Sequence, residues 1–98
     1  MEKYVILISK SDEMGDYNVI YKNHLFDTLN EAREVLESLW ENQIKETKEE
    51  YGVNIQEIWE KDPLESDWSV SKTDDYFVYY ELDDYYNTLR SAQIIVLK

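Results

Sequence analysis

The chain has 98 residues, with 22 Asp plus Glu against 10 Lys plus Arg, a formal net charge of −12, one histidine and no cysteine. That length reads as a single domain, residues 1–98, and the charge excludes direct binding to nucleic-acid phosphates or to an anionic membrane surface, both of which need Lys and Arg. Without cysteine there is no disulfide framework, no thiol nucleophile and no Cys-type zinc site.

High charge and a mean hydropathy of −0.66 point towards disorder, but the aromatic content points the other way. Nine Tyr, three Trp and two Phe sit in periodic segments, and the chain holds only one Pro and two Gly. A folded domain with a small core is expected.

Tyr4-Val5-Ile6-Leu7-Ile8 is a continuous apolar run, rich in β-branched residues, and predicts a buried strand. The segment 17–22 alternates, with Tyr17, Val19 and Tyr21 on one face. Ser11 to Asp16 is turn-rich, so the two segments predict a hairpin with a medium loop. Thr28-Leu29-Asn30-Glu31 is a capping-box pattern. Leu29, Ala32, Val35, Leu36, Leu39, Trp40 and Ile44 then recur at helical spacing, and Gly52 is a left-handed stop. A helix over 29–51 follows.

Residues 53–60 fit either a strand or a helical continuation, and strand is preferred. Lys61-Asp62-Pro63 breaks that segment. Residues 68–72 alternate strictly and predict a strand, Thr73-Asp74-Asp75 a turn, and residues 76–82 a second strand. Residues 83–91 read as a connection with room for a helical turn, and 92–97 as a final buried strand. The expected fold class is α+β: a small, mostly antiparallel sheet of about five to six strands with one long helix across one face. The runs 4–8 and 94–97 are the candidates for central strands.

Familiar chemistries find no footing. His24 has no partner nucleophile at any motif spacing and reads as a loop histidine. Two glycines, Gly15 and Gly52, cannot build a phosphate-binding loop. No acidic stretch has the ligand order of a calcium loop, and a chain of this size with one helix leaves little room for a sugar cleft between two carboxylates. The chain reads as non-enzymatic, with no cofactor and no metal. No apolar run is long enough to span a bilayer and the N-terminus lacks a cleavage site, so a cytoplasmic protein is expected.

The acids are unevenly placed. Between residues 57 and 85 stand Glu57, Glu60, Asp62, Glu65, Asp67, Asp74, Asp75, Glu81, Asp83 and Asp84, against only Lys61 and Lys72. On the helix, Glu34, Glu37 and Glu41 line one stripe, with Glu41–Lys45 and Lys45–Glu49 as expected pairs. Such density strains a compact chain by self-repulsion and exceeds what solubility needs. Acids one helical turn apart approach the spacing of phosphates along a nucleic-acid strand, and so fit a Lys/Arg-lined groove.

Tyrosines interleave with the acids from residue 75 to residue 86. Tyr79, Tyr80, Tyr85 and Tyr86 are candidate interface anchors, able to stack on Arg while the carboxylates pair with Lys and Arg. The candidate partner-binding set is therefore Glu34, Glu37, Glu41, Asp62, Glu65, Asp67, Asp74, Asp75, Tyr79, Tyr80, Glu81, Asp83, Asp84, Tyr85 and Tyr86.

In being small, very acidic, Tyr-rich, Cys-free and α+β, the chain resembles phage-encoded anti-restriction and anti-CRISPR proteins. The likeness is one of composition and covers no motif. It implies a nucleic-acid mimic whose partner is a strongly basic protein, a nucleic-acid-binding enzyme of host defence, blocked by occlusion of its channel. The alternative expectation is a structural or regulatory interaction module without mimicry, as a homodimer paired through an exposed sheet edge.

Overall fold

Thr28 and Gly52 fix the two ends of the long helix α1, Leu29–Tyr51. The Thr28 hydroxyl accepts from the Glu31 amide at 3.2 Å, and Gly52 closes the helix at φ 69°, a left-handed conformation that costs glycine little. These features come from a computed structural model that describes residues 2–12, 15–61, 67–81 and 89–98.

Five strands accompany α1: β1 (Lys3–Asp12), β2 (Gly15–Ile20), β3 (Trp68–Lys72), β4 (Tyr76–Glu81) and β5 (Leu89–Leu97). They form one sheet in the order β2-β1-β5-β4-β3, every neighbour antiparallel. The fold is α+β, with α1 packed on one face. The two apolar runs do lie inside the sheet, in β1 and β5.

Only one face of those runs is covered by helix. Ile6 and Ala92 on that face are buried, although Val96, on the same face near the end of β5, stands 43% exposed, as does Leu97 on the other face. Sequence alone reads a continuous apolar run as buried on both sides. No described helix lies on the second face, yet Val5 there is only 5% exposed and Leu7, Ile95 and Val78 are half-buried, beside Ser9, Ser71 and Ser91.

Four local expectations change, the first at β5, which begins at Leu89 inside the stretch 83–91 expected as a connection. Residues 53–60 are not a strand: Ile55–Lys61 is a second helix, α2. The Asn54 side chain accepts from the Glu57 amide at 3.2 Å, an N-cap, and Ile55, Ile58 and Trp59 fall at helical spacing. The first hairpin is tight, because the ladder runs on to Asp12 opposite Gly15, where a medium loop was expected. Ser9 and Ser11 donate across it to Asn18 and Asp16. Residues 21–23 turn as a 3-10 helix instead of extending β2, with Lys22 and Asn23 at positive φ. That reversal sends Phe26 back beside Tyr4, where the two exchange backbone hydrogen bonds.

The core lies between the helices and the sheet. Leu36 and Trp40 of α1 meet Ile6, Phe77, Tyr79 and Ala92, with Ile55 of α2 and Trp68 closing one end. Trp40 is the pivot: its ring lies 5.3 Å from Phe77 and its indole N–H donates to Gln56 at 2.6 Å. Truncating such a ring to alanine typically costs about 3–5 kcal/mol, a large share of the stability of a small domain.

Candidate functional site

Strand alternation decides which side chains share the helical side of the sheet. On β3 these are Trp68, Val70 and Lys72; opposite them on β4 are Phe77, Tyr79 and Glu81. Lys72 therefore enters the core side as a cation. Its ammonium lies 3.0 Å from Glu37 and over the rings of Trp59 and Trp40, at 5.1 and 5.8 Å from their centroids. Only 10% of the Lys72 side chain is exposed. The rings cover the stem while the carboxylate holds the head.

A second pair ties the same elements. Arg33 of α1 donates from Nε to Asp75 at 2.7 Å, in the turn between β3 and β4. The Asp75 hydrogen bond, with Asp75 and Asp74 nearby, raises the guanidinium above its usual pKa. Together the two pairs dock the turn against the N-terminal half of α1. Glu34, Glu37, Asp74 and Asp75 thus gather around Arg33 and Lys72, and Glu41 follows one turn along α1.

All five of these acids are exposed, as is Asp67 ahead of β3. Glu37 and Asp75 are neutralised by their bases, a pairing that counting acids along the chain does not reveal. Glu34, Glu41, Asp67 and Asp74 form no ion pair among the described residues. The expected Glu41–Lys45 and Lys45–Glu49 pairs are likewise not made, so the middle of α1 keeps its charge outward.

The tyrosines divide. Tyr79 is not an interface anchor: it is 2% exposed, within the core, and donates its hydroxyl to Gln43 Oε1 on α1. Burial pushes its phenol pKa well above 10.0. Tyr80 is 38% exposed but lies on the sheet face away from the helices, across the sheet from the acids of α1. Glu81 is half-buried. Asp62, Glu65, Asp83, Asp84, Tyr85 and Tyr86 lie outside the described residues.

Charge separates by layer. The two helices carry nine acids against four bases, while the five strands carry three acids against four bases. Among the described residues no group of three His, Cys, Asp or Glu is placed to hold a metal ion, and no helix is long and apolar enough to cross a membrane. His24 is exposed, edge-on to Phe26 at 4.6 Å.

Comparison with protein-family models, with curated proteins and with solved structures finds no match to this chain.

Proposed function

We propose that this chain is a non-enzymatic binding protein that mimics nucleic acid and occupies the Lys/Arg-lined channel of a nucleic-acid-binding defence nuclease. The observation that supports this is the layering of charge. The strands are close to neutral, whereas the helical layer holds an excess of five acids, several of them exposed and unpaired among the described residues. A rod of about 34 Å, from 23 residues at about 1.5 Å each, presents carboxylates turn after turn to a basic groove. Complementary charge of this kind speeds encounter and disfavours wrong partners. The likeness of composition to phage-encoded anti-restriction and anti-CRISPR proteins suggests the class of partner.

The test is capture from a bacterial lysate, elution with salt, and identification of the eluted proteins, followed by cleavage assays on any nuclease recovered. The reading requires that the complex weaken steeply between about 0.1 M and about 0.5 M salt, where the screening length roughly halves. It also requires that duplex DNA compete with the chain for the nuclease, and that the chain alone leave duplex DNA unshifted in a gel. A salt-insensitive complex, or a shift of DNA by the chain itself, overturns the reading.

A further inference from the structure

The sheet has two outer strands, and they differ. β3 has α2 packed against it and its Trp68 buried. β2 lies beside β1 alone among the described elements, and its residues from Gly15 to Val19 are all exposed. Tyr17 and Val19, on the helical side, are 47% and 45% exposed because α1 does not reach over them. No Pro or Lys interrupts β2, and no helix among those described covers it, although these are the usual protections of an edge.

The backbone of that edge has a defined polarity. Tyr4 points both its N–H and its C=O towards Phe26, on the β2 side of β1. The even residues of β1 therefore bond towards β2, and Val19 and Tyr17 answer Ile8 and Lys10. It follows that Asp16, Asn18 and Ile20 direct their amides and carbonyls outward, as a template for another strand.

We infer that β2 pairs antiparallel with β2 of a second copy of this chain, extending the sheet across a twofold axis. Charge selects this occupant. The segment from Gly15 to Asn23 is neutral in a chain of net charge −12, with Asp16 near one end and Lys22 near the other. Antiparallel apposition about Val19 sets Asn18 opposite the other copy's Ile20 and Val19 opposite its own counterpart, while Lys22 stays in the 3-10 turn beyond the ladder, so the two edges meet without the like-charge repulsion of the rest of the surface. The same axis sets Tyr17 and Val19 of both copies side by side in the strip that α1 leaves open. The inference is independent of the acidic-layer reading, since the paired edges leave the outward faces of both α1 helices uncovered.

Sedimentation of the full chain across micromolar to millimolar concentration tests it. The expected species has twice the mass of the 11.8 kDa chain, and higher salt strengthens it by screening the repulsion between two acidic bodies. That response is opposite to the one required of a complex with a basic partner, so the two readings fail separately. Val19→Lys sets like charges face to face, and Asn18→Pro removes an outward amide; each should weaken association at least about tenfold. Amide exchange at Asp16, Asn18 and Ile20 should slow with rising concentration in the unaltered chain. If Asn18→Pro does not fold, Val19→Lys and the exchange data decide. A monomer at every concentration, or an assembly that Val19→Lys leaves intact, overturns the inference.

Discussion

Lys72 and Glu37 meet at 3.0 Å across the gap between β3 and α1, with the lysine stem enclosed by Trp40 and Trp59. The pair is asymmetric, because the Glu37 side chain is 55% exposed while Lys72 is nearly covered. Glu37→Gln should therefore cost no more than about 1 kcal/mol, the ion pair being screened by water on its acidic side. Lys72→Met keeps the packing on both rings and should stay within about 1 kcal/mol of the parent. Lys72→Glu places a second acid against Glu37 and should cost about 3 kcal/mol or more. Urea midpoints of the three variants give the order. Equal losses for Met and Glu would show that the cation itself matters, and not the stem.

Thr28 supplies one hydrogen bond at the start of α1. Thr28→Ala should remove about 1 kcal/mol and lower Tm by roughly 4–8 °C in a domain of this size. Thermal unfolding by circular dichroism reads this directly. Partner affinity should not change, since the cap lies away from Glu34 and Glu41 along the helix.

Tyr79 makes stability depend on alkaline pH. Its phenol is raised above 10.0 by burial, so the unfolded chain loses that proton first. The contribution is complete below the unfolded value of about 10 and is lost as pH climbs from there towards the folded value. Tyr79→Phe should cost about 1–2 kcal/mol near neutrality, by leaving Gln43 without its donor, and should flatten the decline above about pH 10. Denaturant titrations across that range, for both proteins, measure the slope. An unchanged slope would assign the alkaline loss to other tyrosines.

Glu34→Gln, Glu41→Gln and Asp74→Asn together remove three exposed acids that form no ion pair among the described residues. Self-repulsion falls, so Tm should hold or rise. Binding to a basic partner should drop well beyond the effect of Glu46→Gln, Glu49→Gln and Glu50→Gln at the far end of α1. Titration calorimetry on the captured partner compares the two sets, and equal affinities would remove the N-terminal half of α1 from the interface.

Much of this was legible where a residue acts on its own neighbours. Thr28 and Gly52 bound α1 because a hydroxyl and a positive φ work within four residues. Residues 53–60 were misread because Val53 and Ile55 alternate like a strand, while the deciding signal was the Asn54 side chain reaching the Glu57 amide. The tyrosines failed for another reason: β4 carries aromatic residues on both faces, and only pairing with β5 decides that Phe77 and Tyr79 turn inward while Tyr80 turns out. Lys72 could have been found. It follows Trp68 and Val70 at alternate positions, and a lysine on the apolar side of a strand implies a carboxylate waiting for it. Arg33 could not, since its partner Asp75 is 42 residues away.

The place of β5 bears on how the chain reaches this structure. The hairpins β1–β2 and β3–β4 share no ladder; β5 lies between them and bonds to both. Each hairpin is local and can form within microseconds. Joining them requires Leu97 to find Lys3 from the opposite end of the segment, a closure whose entropy must be met before most of the β1–β5 ladder exists. Until β5 inserts, each of the two ribbons exposes the strand edge that β5 later covers, that of β1 in one and of β4 in the other. The slow step of folding is thus also the interval in which the chain is most open to pairing with the wrong strand.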